Sequence, residues 1–312
     1  MHAAPEPQSA SAVLMIRPAN FGANKETAAS NAFQKDEATG PEVQARALAE
    51  FDVLAGALRE AGVTVEVFQD RDTPVTPDAV FPNNWVSFHG DGSAWLYPML
   101  APNRRWERRP DILDELKSTR GYRLTCVEDL SFAELDGRYL EGTGSLVLDR
   151  PRRVAYACLS PRTDARLLEQ WAERSGYTVE AFRACDTRGL PIYHTNVMLC
   201  IGNGFAVACL DAIVDPKERE RVAHRLGQFG REVVAISRYQ MEAYAGNMLE
   251  LKTRDGGAVL AMSARAERAL QPAQRQTLER HARIVANPID TIEECSGGSV
   301  RCMLAEIFLP HP

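Results

Sequence analysis

The sequence predicts an α/β fold built as a closed ring of five strand–strand–helix–strand units. Three observations carry that expectation. Four segments repeat one pattern: a small polar motif, an apolar strand, a tight Gly/Asn/Asp turn and a second apolar strand. Each such hairpin runs into a helix-like stretch and then a short apolar strand. The two chain ends each supply part of a fifth unit.

Taken in order, Met1–Ser11 is Ala/Pro/Ser-rich and is expected to fray as a disordered tail. Ala12 to Arg17 reads as a strand, and Asn20 to Gly40 as a long polar stretch suited to a lid. Pro41 to Ala61 is a helix stopped by Gly62, and Val63 to Phe68 a strand; glycine just past a helical pattern is a stop signal. The hairpins follow. Asn84–Phe88 pairs with Ala94–Tyr97, Gly144–Leu148 with Val154–Ala157, Asn196–Cys200 with Phe205–Ala208, and Asn247–Leu251 with Ala258–Ala261. Turn residues between two apolar runs are the hairpin signal. The helices between units are read at 107–120, 163–175, 217–229 and 267–282, each followed by a short strand. The last anchor, Ser299–Leu304, is expected to pair with the N-terminal strand.

The anchors fall at 84, 144, 196, 247 and 299, a period of about 50 residues that marks a solenoid, a propeller or a ring. Complementary chain ends favour the ring and make residues 12–312 one domain.

Composition excludes several classes. The 312 residues are 45% hydrophobic and 25% charged, with a net charge of −6. No clustered basic face is present to grip nucleic acid; the pairs Arg104–Arg105, Arg108–Arg109 and Arg152–Arg153 read as solvated faces. No apolar run reaches the length of a membrane span. A cytoplasmic location is the default. Seven cysteines with no C-x-x-C pair argue against a disulfide framework and a thiolate zinc site. Five of them (126, 158, 185, 200 and 209) sit in or beside apolar runs and read as core residues.

In a ring, equivalent anchors converge at the centre, and chemistry is expected there. The anchor regions read Asp78-Ala-Val-Phe-Pro-Asn-Asn84, Leu140-Glu-Gly-Thr-Gly144, Tyr193-His-Thr-Asn196, Gly246-Asn247 and Ser296-Gly-Gly-Ser-Val-Arg-Cys302. Singly, each has an ordinary structural reading. Together they place Glu141, His194 and Cys302 at equivalent positions. Cys with His is a nucleophile–base pair, because a thiol with a pKa of about 8.5 needs help to ionise. Glu141 is suited to orient the imidazole or hold a cation. The set suits covalent attack on a planar electrophilic carbon.

These motifs resemble the guanidino-group-modifying pentein superfamily: arginine deiminases, dimethylarginine dimethylaminohydrolases and amidinotransferases. More narrowly, the chain is similar to the arginine-deiminase-related branch of citrulline-utilisation hydrolases. The likeness runs from Arg17-Pro-Ala-Asn-Phe21 to Ala305-Glu-Ile-Phe308. It implies the pentein fold, a five-bladed α/β propeller of ββαβ repeats with pseudo-fivefold symmetry. It implies Cys302 as nucleophile, His194 as acid and base, and Glu141 as their partner. It implies Asp78, Asn84 and Asn196 as substrate-binding positions, with no metal and no cofactor. The implied partner is a small amino acid, with no nucleic acid and no membrane; the oligomeric state is left open, with room for a homodimer.

Two departures refine the expected substrate. Relatives that act on guanidinium place carboxylates where Asn84 and Asn196 stand here. A guanidinium has donors only and suits carboxylates. Losing a charged acceptor forfeits ~1.5–3 kcal/mol of charge-assisted hydrogen bonding. An amide offers a donor and an acceptor, which suits a neutral ureido group. The expected reaction is therefore hydrolysis of citrulline to ornithine, carbon dioxide and ammonia through a Cys302 intermediate. Arginine-type deimination, amidino transfer and a non-catalytic pentein-fold binding protein are the alternatives. The second departure is Pro98 or Met99 where some relatives carry a carboxylate-binding Arg; Arg17, Arg238 and Arg301 are the candidates in its place.

Overall fold

The computed structural model describes residues 6–28, 30–31, 33–34 and 38–311. β1 (Ala12–Arg17) runs parallel to β2 (Thr64–Gln69), and helix Pro41–Glu60 crosses between them. Gly40 precedes Pro41 at the helix N-terminus, where the missing proline N–H costs nothing. Val43, Ala47, Phe51, Leu54 and Leu58 form its buried stripe and pack on Val13, Met15 and Val65. Fully burying a residue such as Phe51 contributes roughly 1.5–3 kcal/mol.

Four sheets of one design follow. β3 (Val86–Phe88) and β4 (Ser93–Leu96) form an antiparallel hairpin, and β5 (Cys126–Asp129) lies parallel to β4. The same order recurs in β6 (Leu146–Asp149), β7 (Val154–Cys158) and β8 (Thr178–Phe182). It recurs in β9 (Leu199–Ile201), β10 (Phe205–Ala208) and β11 (Glu232–Ala235). The last set is β12 (Leu249–Lys252), β13 (Ala258–Ser263) and β14 (Arg283–Asn287). Finally β15 (Ala305–Ile307) pairs antiparallel with β1, Ala12 opposite Ile307 and Leu14 opposite Ala305. The chain ends thus share one sheet. There are five three-stranded sheets among the described residues, and none is closed on itself.

Several sequence expectations need correction. The anchors do not start strands. Pro82–Asn84, Gly142–Ser145, Thr195–Val197 and Val300–Met303 are single helical turns that precede β3, β6, β9 and β15. A tight turn satisfies its own backbone locally and leaves its side chains free to converge. The helix read at 267–282 is two, Ala264–Ala269 and Pro272–Glu279. Pro272 forces Gln271 out of the helical region, to ψ 152. Cys126 is exposed, because β5 is an edge strand with solvent on one side.

The expected tail also differs. Residues 1–5 lie outside the described residues. Gln8, Ser9 and Ala10 are buried. Gln8 Nε2 donates to the Leu148 carbonyl at 2.9 Å and to that of Ile201 at 3.1 Å, and its Oε1 accepts from Arg150 N at 3.0 Å. A side-chain amide that saturates three backbone groups holds the segment against the sheets. Among the described residues no helix is long and apolar enough to cross a membrane.

Candidate active site

The helical turns ahead of the strands meet side by side. Thr143 Oγ1 donates to Asn83 O at 3.3 Å, Thr195 Oγ1 to Ser145 O at 2.6 Å, and Asn247 Nδ2 to Asn196 O at 2.9 Å. Arg301 N donates to Asn247 Oδ1 at 3.0 Å. Glycine is needed where these turns touch. A Cβ on Gly142 would sit 2.3 Å from Asn83 O, and one on Gly144 2.4 Å from Asn84 Nδ2 and 2.8 Å from His194 Nδ1.

At this junction a small cavity is lined by Asp78, Phe81, Asn84, Arg104, Arg162, Tyr193, His194 and Cys302, among others. Its free volume is about 10 Å³, room for about one water. The polar stretch before helix Pro41–Glu60 covers it. Asn24 Nδ2 donates to Asp78 Oδ2 at 2.7 Å, and Asn31 Nδ2 to the Ser296 carbonyl at 2.7 Å. Phe33 packs edge-on against Tyr193.

Glu141 and His194 form a buried pair, Oε2 to Nε2 at 2.7 Å. Burial opposes ionisation of Glu141, but Arg162, His194 and Arg104 overcome it and hold the carboxyl well below the usual range. An ionised carboxylate only accepts, so His194 Nε2 carries the proton and Nδ1 the lone pair. Burial pushes the His194 imidazole down to about 4, against the pull of Glu141. It is neutral near pH 7.

Cys302 does not hydrogen-bond to His194 among the described residues, although both line the cavity. Its sulfur meets two amides instead: Asn247 Nδ2 at 3.3 Å and Asn196 Nδ2 at 3.6 Å. The Arg301 N–H occupies Asn247 Oδ1, so the Asn247 amide can only present N–H to the sulfur. Asn196 therefore stands behind the nucleophile and does not line the cavity; Glu141 likewise stands behind His194.

The other wall is built around Arg104, 2% exposed. Its Nε and Nη2 fork onto Glu107 at 2.8 and 2.9 Å, and Nη2 also donates to Asn84 Oδ1 at 3.1 Å. Asp78 Oδ2 lies 3.6 Å from Nε and Glu141 Oε2 3.7 Å from Nη1. Burial is the largest influence on the Glu107 carboxyl and raises it to about 8 against the pull of Arg104; the two-pronged fork from Arg104 onto both oxygens favours the carboxylate form. Arg162 reaches Glu141 Oε2 at 3.4 Å and the Ser30 hydroxyl at 2.8 Å. Three buried polar atoms of lining residues have no hydrogen-bond partner among the described residues: Asp78 Oδ1, Asn84 Nδ2 and Arg162 Nε.

The structure thus gathers all six residues singled out from sequence, and adds three that sequence reasoning missed. Arg104, read as part of a solvated face, is buried. Its signal was Glu107 three residues on, an ion-pair spacing. Asn247 was visible as an anchor but carried no assigned role. Arg162 gave no signal. The three arginines proposed for a substrate carboxylate point elsewhere. Arg17 pairs with Asp52, Arg238 caps carbonyls of Cys185 and Asp211, and Arg301 pairs with Glu306. No cluster of three or more His, Cys, Asp or Glu among the described residues is placed to hold a metal ion.

Solved structures share this fold. A cyanobacterial arginine dihydrolase of the ornithine–ammonia cycle, ArgZ, superposes with a TM-score of 0.75 at 18% identity. The match covers 96% of this chain and 41% of that one, so this chain spans about two-fifths of the full dihydrolase. The N-terminal domain of ArgZ, as a Cys→Ser variant bound to substrate, matches over 99% of its length, with a TM-score of 0.72 and 18% identity. The dimethylarginine hydrolase of Pseudomonas aeruginosa, a Cys→Ser variant complexed with citrulline, gives a TM-score of 0.64 at 16% identity. That match covers 96% of this chain and 100% of that one. No curated protein matches the chain in sequence. The model of the family described as N,N dimethylarginine dimethylhydrolase, eukaryotic, matches residues 17–309. The chain belongs to that family of carbon–nitrogen hydrolases, within the guanidino-modifying pentein superfamily.

Proposed function

We propose that this chain is a cysteine-dependent hydrolase of the ureido C–N bond of a small amino acid, citrulline foremost. The observation that carries this is the orientation of the Asn84 amide. Arginine has donors only, so the atom facing Arg104 Nη2 is the Asn84 oxygen, and the unpartnered Nδ2 is left as a donor. Asp78, which lines the same cavity, has Oδ1 as a free acceptor. One donor and one acceptor match a ureido group, whose carbonyl accepts and whose N–H groups donate. A guanidinium would leave the Asn84 donor facing donors. The Arg162 Nε–H, buried and unpaired, suits the substrate carboxylate.

The chemistry then runs as follows. His194 Nδ1 takes the Cys302 thiol proton, and the sulfur, which faces the Asn247 and Asn196 amides, bonds to the ureido carbon. The C–N bond to the δ-nitrogen breaks, and His194 returns the thiol proton to the departing ornithine amine. Water, deprotonated by His194, attacks the carbamoyl thioester and releases carbamic acid and the thiol. Carbamic acid falls to carbon dioxide and ammonia. Glu141 stabilises the imidazolium in each half.

Arginine is the second reading, favoured by the Asp78 acceptor, which also suits a cation. We further propose that the five sheets are blades around a pseudo-fivefold axis and that residues 12–312 form one domain. The shared β15–β1 sheet and the stitched turns support both. Six free cysteines (126, 158, 185, 200, 209 and 302) suit a reducing, cytoplasmic setting.

The test is a product assay on the purified protein and its Cys302→Ala variant, with L-citrulline and L-arginine supplied separately. Ornithine from citrulline, abolished in the variant, is the expected result. Citrulline accumulating from arginine would keep the thiol mechanism and overturn the ureido reading. Turnover of neither would overturn both.

A further inference from the structure

Glu107 does not line the cavity, yet it touches the residue that organises one wall of it. It closes the 3₁₀ turn Pro102–Glu107, where side chains three apart eclipse, so it stands directly behind Arg104. The fork spends Arg104 Nε–H and one Nη2 hydrogen on the two Glu107 oxygens. The second Nη2 hydrogen is thereby aimed at Asn84 Oδ1. Asn84 lines the cavity, and with its oxygen taken by Arg104 its Nδ2 is the end of the amide left unpartnered.

We propose that Glu107 is a positioning residue that sets the charge class of substrate the site accepts, acting through Arg104 on the Asn84 amide. The inference rests on the ureido reading of that cavity. Without the Glu107 carboxylate, the next acceptors for the guanidinium are Asp78 and Glu141, at 3.6 and 3.7 Å. Arg104 turning to them frees Asn84 Oδ1. The amide then rotates without cost and ceases to select a carbonyl over a donor-only group.

The experiment compares wild type, Glu107→Gln, Asn84→Ala and the double variant, using kcat/KM for L-citrulline and for L-arginine. The citrulline-to-arginine ratio is expected to fall about ten- to hundredfold in Glu107→Gln, the scale of one charge-assisted bond. In the Asn84→Ala background the same substitution is expected to leave the ratio unchanged, since both act through one amide. A second readout needs no turnover. The Asn84 side-chain amide protons, assigned by their loss in Asn84→Asp, are expected to be sharp and exchange-protected in wild type and to broaden in Glu107→Gln. Glu107→Asp keeps the charge with a shorter reach; it is expected to give an intermediate ratio, and it carries the same readouts if the Gln variant does not fold. An unchanged ratio, full additivity with Asn84→Ala, or unaltered Asn84 amide signals would overturn the proposal. If wild type turns over neither substrate, the ureido reading fails, and the amide signals still decide whether Glu107 positions Asn84.

Discussion

The two ends of the five sheets both bury polar side chains and use them differently. At the far end, Gln8 spends its whole amide on Leu148, Ile201 and Arg150. Lys252 N donates to Ala10 O at 2.8 Å, and Arg150 pairs with Glu6 at 2.7 Å while stacking on Phe308. At the turn end, Asp78, Asn84 and Arg162 each keep a buried polar atom without a partner. Such an orphan costs about 1–3 kcal/mol. The fold pays that cost where a ligand repays it. Polarity at the far end is mostly spent within the protein, Arg150 Nη2 being an unpartnered exception, whereas the turn end gathers three unpartnered atoms around one cavity.

The sharpest break of this contrast is Cys302→Ala, expected to lower turnover at least ~10⁴-fold with an unchanged melting temperature; product mass spectrometry and calorimetry check it together. Next, His194→Gln is expected to cost about 10²–10⁴-fold. Wild-type kcat/KM should hold its value as pH falls below the usual histidine range, with its acid limb near 4, because His194 is held neutral to about 4. An acid limb near 6.5 would show that His194 titrates as an ordinary exposed histidine.

Smaller in effect, Asn84→Asp is expected to shift preference toward a cationic guanidine by about tenfold or more, read as the arginine-to-citrulline ratio of kcat/KM. An unmoved ratio would sink the charge-matching account.

Stability has its own pH signature. Burial pushes both His89 and His194 down to about 4, against about 6.5 when unfolded. Between those values the unfolded chain binds protons that the folded one does not. This stabilisation is full above about pH 6.5 and is lost as pH falls toward 4, up to ~3 kcal/mol per histidine. Urea unfolding at pH 7, 5.5 and 4.5 measures it, and His89→Gln should flatten the slope without touching the pH profile of catalysis. Finally, Gln8→Ala is expected to destabilise by about 1–3 kcal/mol while leaving kcat within twofold. A large loss of kcat there would mean that the two ends are coupled.

Much of the site was legible because repeats are local. Asp78, Asn84, Glu141, His194, Asn196 and Cys302 announce themselves by position within a period, and period survives in a bare string. What those residues do to one another does not. Asn196 reads as a substrate contact and stands instead at the Cys302 sulfur. Cys302 and His194 read as a nucleophile–base pair, and they line one cavity with no hydrogen bond between them among the described residues.

The sequence by itself determined the repeat, the helices with their glycine stops, the pairing of the chain ends and the polar residues of the turns. Periodicity and turn chemistry act over a few residues, so they need no knowledge of the rest. Tertiary structure alone decided that Arg104 is buried, that Gln8 is anchored, and that the Asn84 and Asn247 amides face the way they do. Each of these depends on partners brought close by the meeting of separate sheets. A guanidinium or an amide has no preferred direction until such a partner occupies one of its ends.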